Sequence, residues 1–308
     1  MAEIQKIEFT QVAGQAPAAD TLRLIAGNIS GNRSVLLVIS SMKNRPMLGA
    51  DTIFSALPAG SSGAAWRTIA MLSEVVPAKL QWDVAPSANG DSEIAFGKPG
   101  GAINALMLRS ASGTMRALSS AYPLQSFSEP RFARSAAHPP DWLTAVVDNR
   151  TCVAFPLGTP SAQCRTLGEC AQGLLVHYGP GFAFIFKTVV PGPVRGNLIA
   201  PGRLHSAMLD AELRPTGPPA EIFDGTIFEF DADVIKGKLV VLATTPRGVV
   251  IASEPSPRAK FLSREYEVPA TLTSPAVAGS ASGKAILAAL DSSGSGPARV
   301  VTTEVAIP

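Results

Sequence analysis

Residues 229–233 of this 308-residue chain read EFDAD and place Glu229, Asp231 and Asp233 two positions apart. Alternate side chains of a strand share a face, so these three carboxylates would point the same way. Like charges so placed repel unless water surrounds them or a cation sits among them. Calcium accepts such oxygens but takes roughly six to eight of them, more than this stretch offers. The favoured reading is a strand that frays into a loop with its acids in water, and no metal is expected.

The other reactive side chains are sparse. His138, His177 and His205 are the three histidines, and each lies in a separate segment. A histidine metal centre would need nearly all of them to converge, and nothing in their spacing asks for it. Cys152, Cys164 and Cys170 are spaced by eleven residues and then five, without the paired knuckles of zinc sites. Three small, partly buried thiols are expected, with a Cys164–Cys170 disulfide as the minor alternative. No G-x-S-x-G elbow occurs, and GKPGG at 97–101 lacks the G-K-[ST] of a phosphate loop.

The positive candidates are arginines beside Gly or Pro: Arg131, Arg195 with Asn197, and Arg203 with His205. A guanidinium offers a planar fork to a carboxylate or phosphate. Trp82, Trp142 and Tyr178 could add aromatic walls. The Pro/Gly-rich stretch TVVPGPVRGNLIAPGRLH (188–205) is long for a connection between strands, and long loops more often border function. Residues 203–217, RLHSAMLDAELRPTG, could be a short helix carrying His205 and Asp210. Turns on both sides favour a strand instead, with Leu204, Met208 and Leu213 packed inward and Asp210 and Gly217 in turns.

These side chains need elements to hold them. Six strongly apolar runs recur at roughly fifty-residue intervals: SVLLVIS, SEIAFG, DWLTAVVD, FAFIFK, KLVVLATT and KAILAALD. Each is flanked by turn residues and by a weaker run on either side, which reads as a buried strand inside a small antiparallel sheet. AAWRTIAMLSEVV is the other helix candidate and stays ambiguous. Period and turn placement over the whole chain resemble six-bladed β-propellers in general, without the motif of a particular family. The resemblance implies an all-β fold over residues 1–308, with mostly four-stranded blades. Both termini are strand-like, and residues 5–12 are expected to close the ring in the blade formed by residues 283–307.

Composition bounds the partners. Hydrophobic residues make up 46% and charged residues 16%, so a large core is available. A net charge of +2 and 6% aromatics argue against nucleic acid. No run is long enough to cross a bilayer, and the N-terminus has no apolar signal core. A cytoplasmic protein is expected, although a processed secreted chain would look the same. A small molecule or a protein is the expected partner, with no cofactor. Scarce histidines and acids favour a non-catalytic propeller that binds its partner at one face or in its channel, through Arg131, Arg195, Asn197, Arg203 and His205. The alternative is a hydrolase, lyase or isomerase with a channel pocket bordered by residues 188–205.

Overall fold

The computed structural model describes the chain except residues 1–4, 13–18, 20, 30–31, 46–48, 59–65, 74–81, 87–91, 101–102, 111, 123, 136–138, 159–162, 190–199, 270, 281 and 294–297. The described residues form strands and turns, with no helix. Two short strands, β1 (Gln5–Lys6) and β2 (Thr10–Gln11), precede six antiparallel blades. The first blade is β3 (Thr21–Ile29), β4 (Asn32–Arg45), β5 (Gly49–Pro58) and β6 (Arg67–Ser73). The second is β7 (Trp82–Pro86), β8 (Ser92–Gly100), β9 (Ile103–Arg109) and β10 (Met115–Ala117). The third is β11 (Phe127–Phe132), β12 (Trp142–Val147), β13 (Thr151–Pro156) and β14 (Arg165–Glu169). The fourth is β15 (Gln172–Tyr178), β16 (Gly181–Val189), β17 (Gly202–Leu209) and β18 (Ala220–Ile227). The fifth is β19 (Phe230–Ile235), β20 (Lys238–Thr245), β21 (Gly248–Glu254) and β22 (Leu262–Glu267). The sixth is β23 (Leu272–Gly279), β24 (Ala285–Asp291) and β25 (Arg299–Val305), with β2 as its outer strand.

The first strands of the blades contact one another in cyclic order, β3, β7, β11, β15, β19, β23 and back to β3. That ring surrounds the channel of a six-bladed propeller. The six apolar runs are the second strands β4, β8, β12, β16, β20 and β24. A second strand is paired on both edges and packed on both faces, so its sequence loses alternation and becomes uniformly apolar. The core is divided in the same way. One cluster joins Trp82 and Phe96 of the second blade to Phe54 of the first, and another joins Phe127 and Phe155 of the third blade to Leu106 of the second. Four further clusters fill the remaining junctions. Stability therefore depends on every blade having both neighbours.

Turn chemistry fixes the register of the hairpins. Lys236 (φ 51°) and Gly237 (φ 77°) form the two-residue connection from β19 to β20, and both occupy the left-handed region that this tight turn requires. The ring closes with N-terminal residues. Thr10 pairs with Thr302, and the Val12 N–H donates to the Val300 carbonyl at 3.0 Å. Gln5 instead pairs in parallel with Tyr266 of the fifth blade. The closing segment thus clamps two adjacent blades, where the sequence suggested one.

Residues 203–217 follow the strand reading. β17 carries the stretch to Leu209 and turns follow, Leu204 and Leu213 are buried, and Met208 packs against the core. The Asp210 carboxylate accepts the N–H groups of Glu212 at 3.0 Å and Arg214 at 2.8 Å and so shapes the turn. The cysteines differ from expectation. Cys152 and Cys170 are joined in a disulfide with Cα atoms 5.6 Å apart, and Cys164 is free. Three unpaired thiols were expected, with Cys164–Cys170 as the minor alternative, and neither is what forms. The pleat instead brings Cys152, in the middle of the third blade, beside the segment that leads into the fourth.

Candidate functional site

The channel-lining strands carry charges. Asp83 on β7 is fully buried. Its Oδ1 lies 3.0 Å from Arg134 Nη2 and 3.4 Å from Arg23 Nε, its Oδ2 lies 3.9 Å from Arg131 Nε, and it accepts the Phe132 N–H at 2.8 Å. Three guanidiniums thus meet one carboxylate. A second carboxylate, Asp231 on β19, reaches across the ring to pair with Arg131 and accepts the Val277 N–H at 3.1 Å. Asp233 accepts the Gly279 N–H at 2.9 Å.

Each site side chain follows from its strand. Arg23, Asp83, Arg131, Asp231 and Asp233 lie on first strands, and Arg134 follows β11 after Ala133. Arg23 also donates to the Trp82 carbonyl at 3.1 Å and lies over the Trp82 ring. Burial, with the Arg131 charge nearby, lowers its guanidinium to about 10. Burial acts the same way on Arg134, but there Asp83, Asp231 and Asp233 outweigh it and raise the group.

Glu129 stands apart. It sits where β11 slips register between Ser128 and Arg131, and its φ of 53° is left-handed. A non-glycine residue held there is strained, and such strain concentrates at working sites. Burial pushes its carboxyl up to about 8, against the pull of Arg23, Arg131 and Lys187, and the Glu229 charge adds to the rise. Lys187 of β16 is buried, donating to the carbonyls of Phe228 at 2.6 Å and Ala200 at 3.1 Å. Burial lowers its ammonium to about 8, with Glu129 and Glu229 opposing. At neutral pH Glu129 is thus a carboxylic acid with a proton to donate, set close enough to Glu229 and Lys187 for their charges to act on it.

The solvated-loop reading of Glu229, Asp231 and Asp233 is corrected. All three are buried: Asp231 and Asp233 lie on the channel strand β19, where backbone N–H groups and arginine take the place of water, and Glu229 directly precedes it. The described residues contain no cluster suited to a metal ion. Of the residues the sequence singled out, Arg131 lies in the channel cluster. Arg195, Asn197 and His138 fall outside the described residues. Arg203 and His205 lie on β17, the third strand of its blade, and are not brought to Arg131. Arg203 is exposed and pairs with Glu221 at 2.8 Å. His205 stacks on Phe186 and lies 3.3 Å from Thr188 Oγ1. His177 pairs with Asp141 at 2.9 Å. Arg23, Asp83, Glu129, Arg134 and Lys187 were not picked out, although the first four share one signal: a charge in or beside the first run of its unit.

No protein-family model and no curated protein matches the chain in sequence. Solved structures do. A Trypanosoma rangeli sialidase mutant displaying trans-sialidase activity matches over 97% of this chain and 57% of its own, with a TM-score of 0.55 and 9% identity. The same sialidase in complex with 2,3-difluoro-KDN matches with a TM-score of 0.55 over 96% of this chain. A GH43_1 enzyme of Xanthomonas citri complexed with xylose reaches a TM-score of 0.49 at 14% identity, over 97% of this chain and 90% of its own. The chain spans little more than half of the sialidase. Identities this low bear on the fold, a charged-axis six-bladed propeller.

The expectation of a non-catalytic scaffold is corrected at this point. Among the propellers that this chain is similar to in fold is an enzyme, a sialidase, so the enzyme alternative is better backed than a bare scaffold. Scarcity of acids along the sequence argued for a scaffold. The ring removes that objection by gathering charges that lie scores of residues apart.

Proposed function

We propose that the chain is a glycoside hydrolase with its reacting centre in the propeller channel, at Glu129 and Glu229. The carrying observation is the placement of Glu129 on a strained bulge of a channel strand, within range of the Glu229 carboxyl and the Lys187 ammonium. Glycosidic cleavage needs an acid to protonate the leaving oxygen and a second carboxylate to support the cation-like sugar or activate water. Glu129, neutral up to about 8, suits the acid role. Glu229, the carboxyl whose charge acts on Glu129, suits the second. The names of the similar propellers, a sialidase and a GH43_1 enzyme, support a sugar substrate.

The experiment is a panel of aryl glycosides, including xylosides, arabinofuranosides and sialosides. Release of the aryl alcohol from at least one is expected. Glu129→Gln should lower kcat by about a hundredfold or more, and an aryl leaving group that needs no proton should recover part of the loss. A folded parent protein that turns over no member of the panel would contradict the reading.

A further inference from the structure

The junction of the first and second blades holds a cavity of about 230 Å3, lined by Met71, Leu72, Phe96, Lys98, Arg109 and Met115 among others. β6 and β10 are outer strands, so this cavity lies away from the channel and is independent of the reading proposed for it. We propose that it binds a small organic anion with an apolar body, held by Lys98 and Arg109.

Register sets the two cations on one face. Ile94, Phe96 and Lys98 alternate onto the same side of β8, and Arg109 stands opposite Ile94 and beside Met115. Lys98 pairs with Ala105, four rungs from Arg109, or roughly 13 Å along the strand. Phe96 lies between them beneath the cavity, and Met71 and Met115 give the accessible apolar floor that separates two positive ends. Among the described residues neither cation has an ion-pair or hydrogen-bond partner. Glu93, the nearby acid on β8, alternates to the opposite face.

Unbalanced cations beside an apolar floor discriminate between ligands. A neutral polar solute would lose water against Met71 and Met115 without recovering it, and a cation would be repelled. An amphipathic anion satisfies both halves, because the guanidinium fork gives charge-assisted bonds while the ring or acyl body covers the floor. Met71 and Met115 are 54% and 45% exposed, and flexible thioethers adapt to bodies of different shape. The volume suits a compact ligand rather than a long chain.

Titration of the full chain with 8-anilinonaphthalene-1-sulfonate, read by fluorescence, tests this. Saturable binding at one site is expected, weakened about tenfold or more in the Lys98→Gln/Arg109→Gln double variant. The neutral analogue N-phenyl-1-naphthylamine should bind the parent correspondingly less well. Met71→Trp keeps both cations and fills the mouth with an indole; it too should weaken binding, and it keeps the test decisive if loss of charge disturbs the fold. Equal affinity for the two probes, equal affinity in parent and Met71→Trp, or no saturable binding would overturn the proposal.

Discussion

Arg134 donates through Nη2 to Asp83 Oδ1 at 3.0 Å, joining the end of the third blade's inner strand to the second blade's inner strand. Asp83 is fully buried, and Arg23 and Arg131 face the same carboxylate. The pair links blades at the axis, beside the apolar contact that Ala85, Phe127 and Phe132 supply between the same two strands. Its value lies in holding the channel strands in one arrangement, since a buried ion pair contributes little net stability over a well-packed apolar one.

Asp83→Asn should destabilise the protein by about 3 kcal/mol or more, because three guanidiniums then share a site with no facing charge from that strand. Urea unfolding measures it. Arg203→Ala is the contrast: its pair with Glu221 is exposed, so the loss should stay within about 1 kcal/mol. Similar losses for the two variants would mean that the axial cluster is not the constraint described.

The ring made the fold legible and hid the site. SVLLVIS, FAFIFK and their counterparts stand out because a central strand is apolar on both faces, and the Asp210 turn could be read from its neighbours. Inner strands are less uniformly apolar, and four of the six carry one or two charges that look ordinary alone. Arg23, Asp83, Arg131 and Asp231 meet only because the blades close on an axis, which no spacing along the chain expresses. Glu129 needed the bulge at β11, whose left-handed φ has no strong sequence mark. That Arg203 and His205 stand on a third strand, away from the axis, was not legible because the strand order within a blade was not known.

The disulfide closes an 18-residue separation, which in chain-entropy terms is worth about 3 kcal/mol. Alkylation of the native protein should label one thiol, Cys164, and all three after reduction. Reduction, or the Cys152→Ala/Cys170→Ala variant, should lower the melting temperature by several degrees. Three reactive thiols in the native protein would contradict this.

Glu254 gives a pH signature of stability. It is buried, and burial pushes its carboxyl up to about 7, with the Arg258 N–H partly opposing. The folded state therefore holds a proton that the unfolded chain releases near 4.5. The stabilisation is complete below that value and is lost as pH rises through about 7. Glu254→Gln should flatten this part of the pH–stability curve and gain on the parent at pH 8. Parallel curves for parent and variant between pH 5 and 8 would count against it.

The central claim is that Glu129 delivers a proton in the channel. The most direct measurement is the pH dependence of kcat/KM for an aryl glycoside with a poor leaving group, in the parent and in Glu129→Gln. The parent should lose activity as pH rises through about 8, where the acid ionises, and the variant should be about a hundredfold slower with that limb absent. A variant that keeps the parent's rate and its alkaline limb would contradict the account.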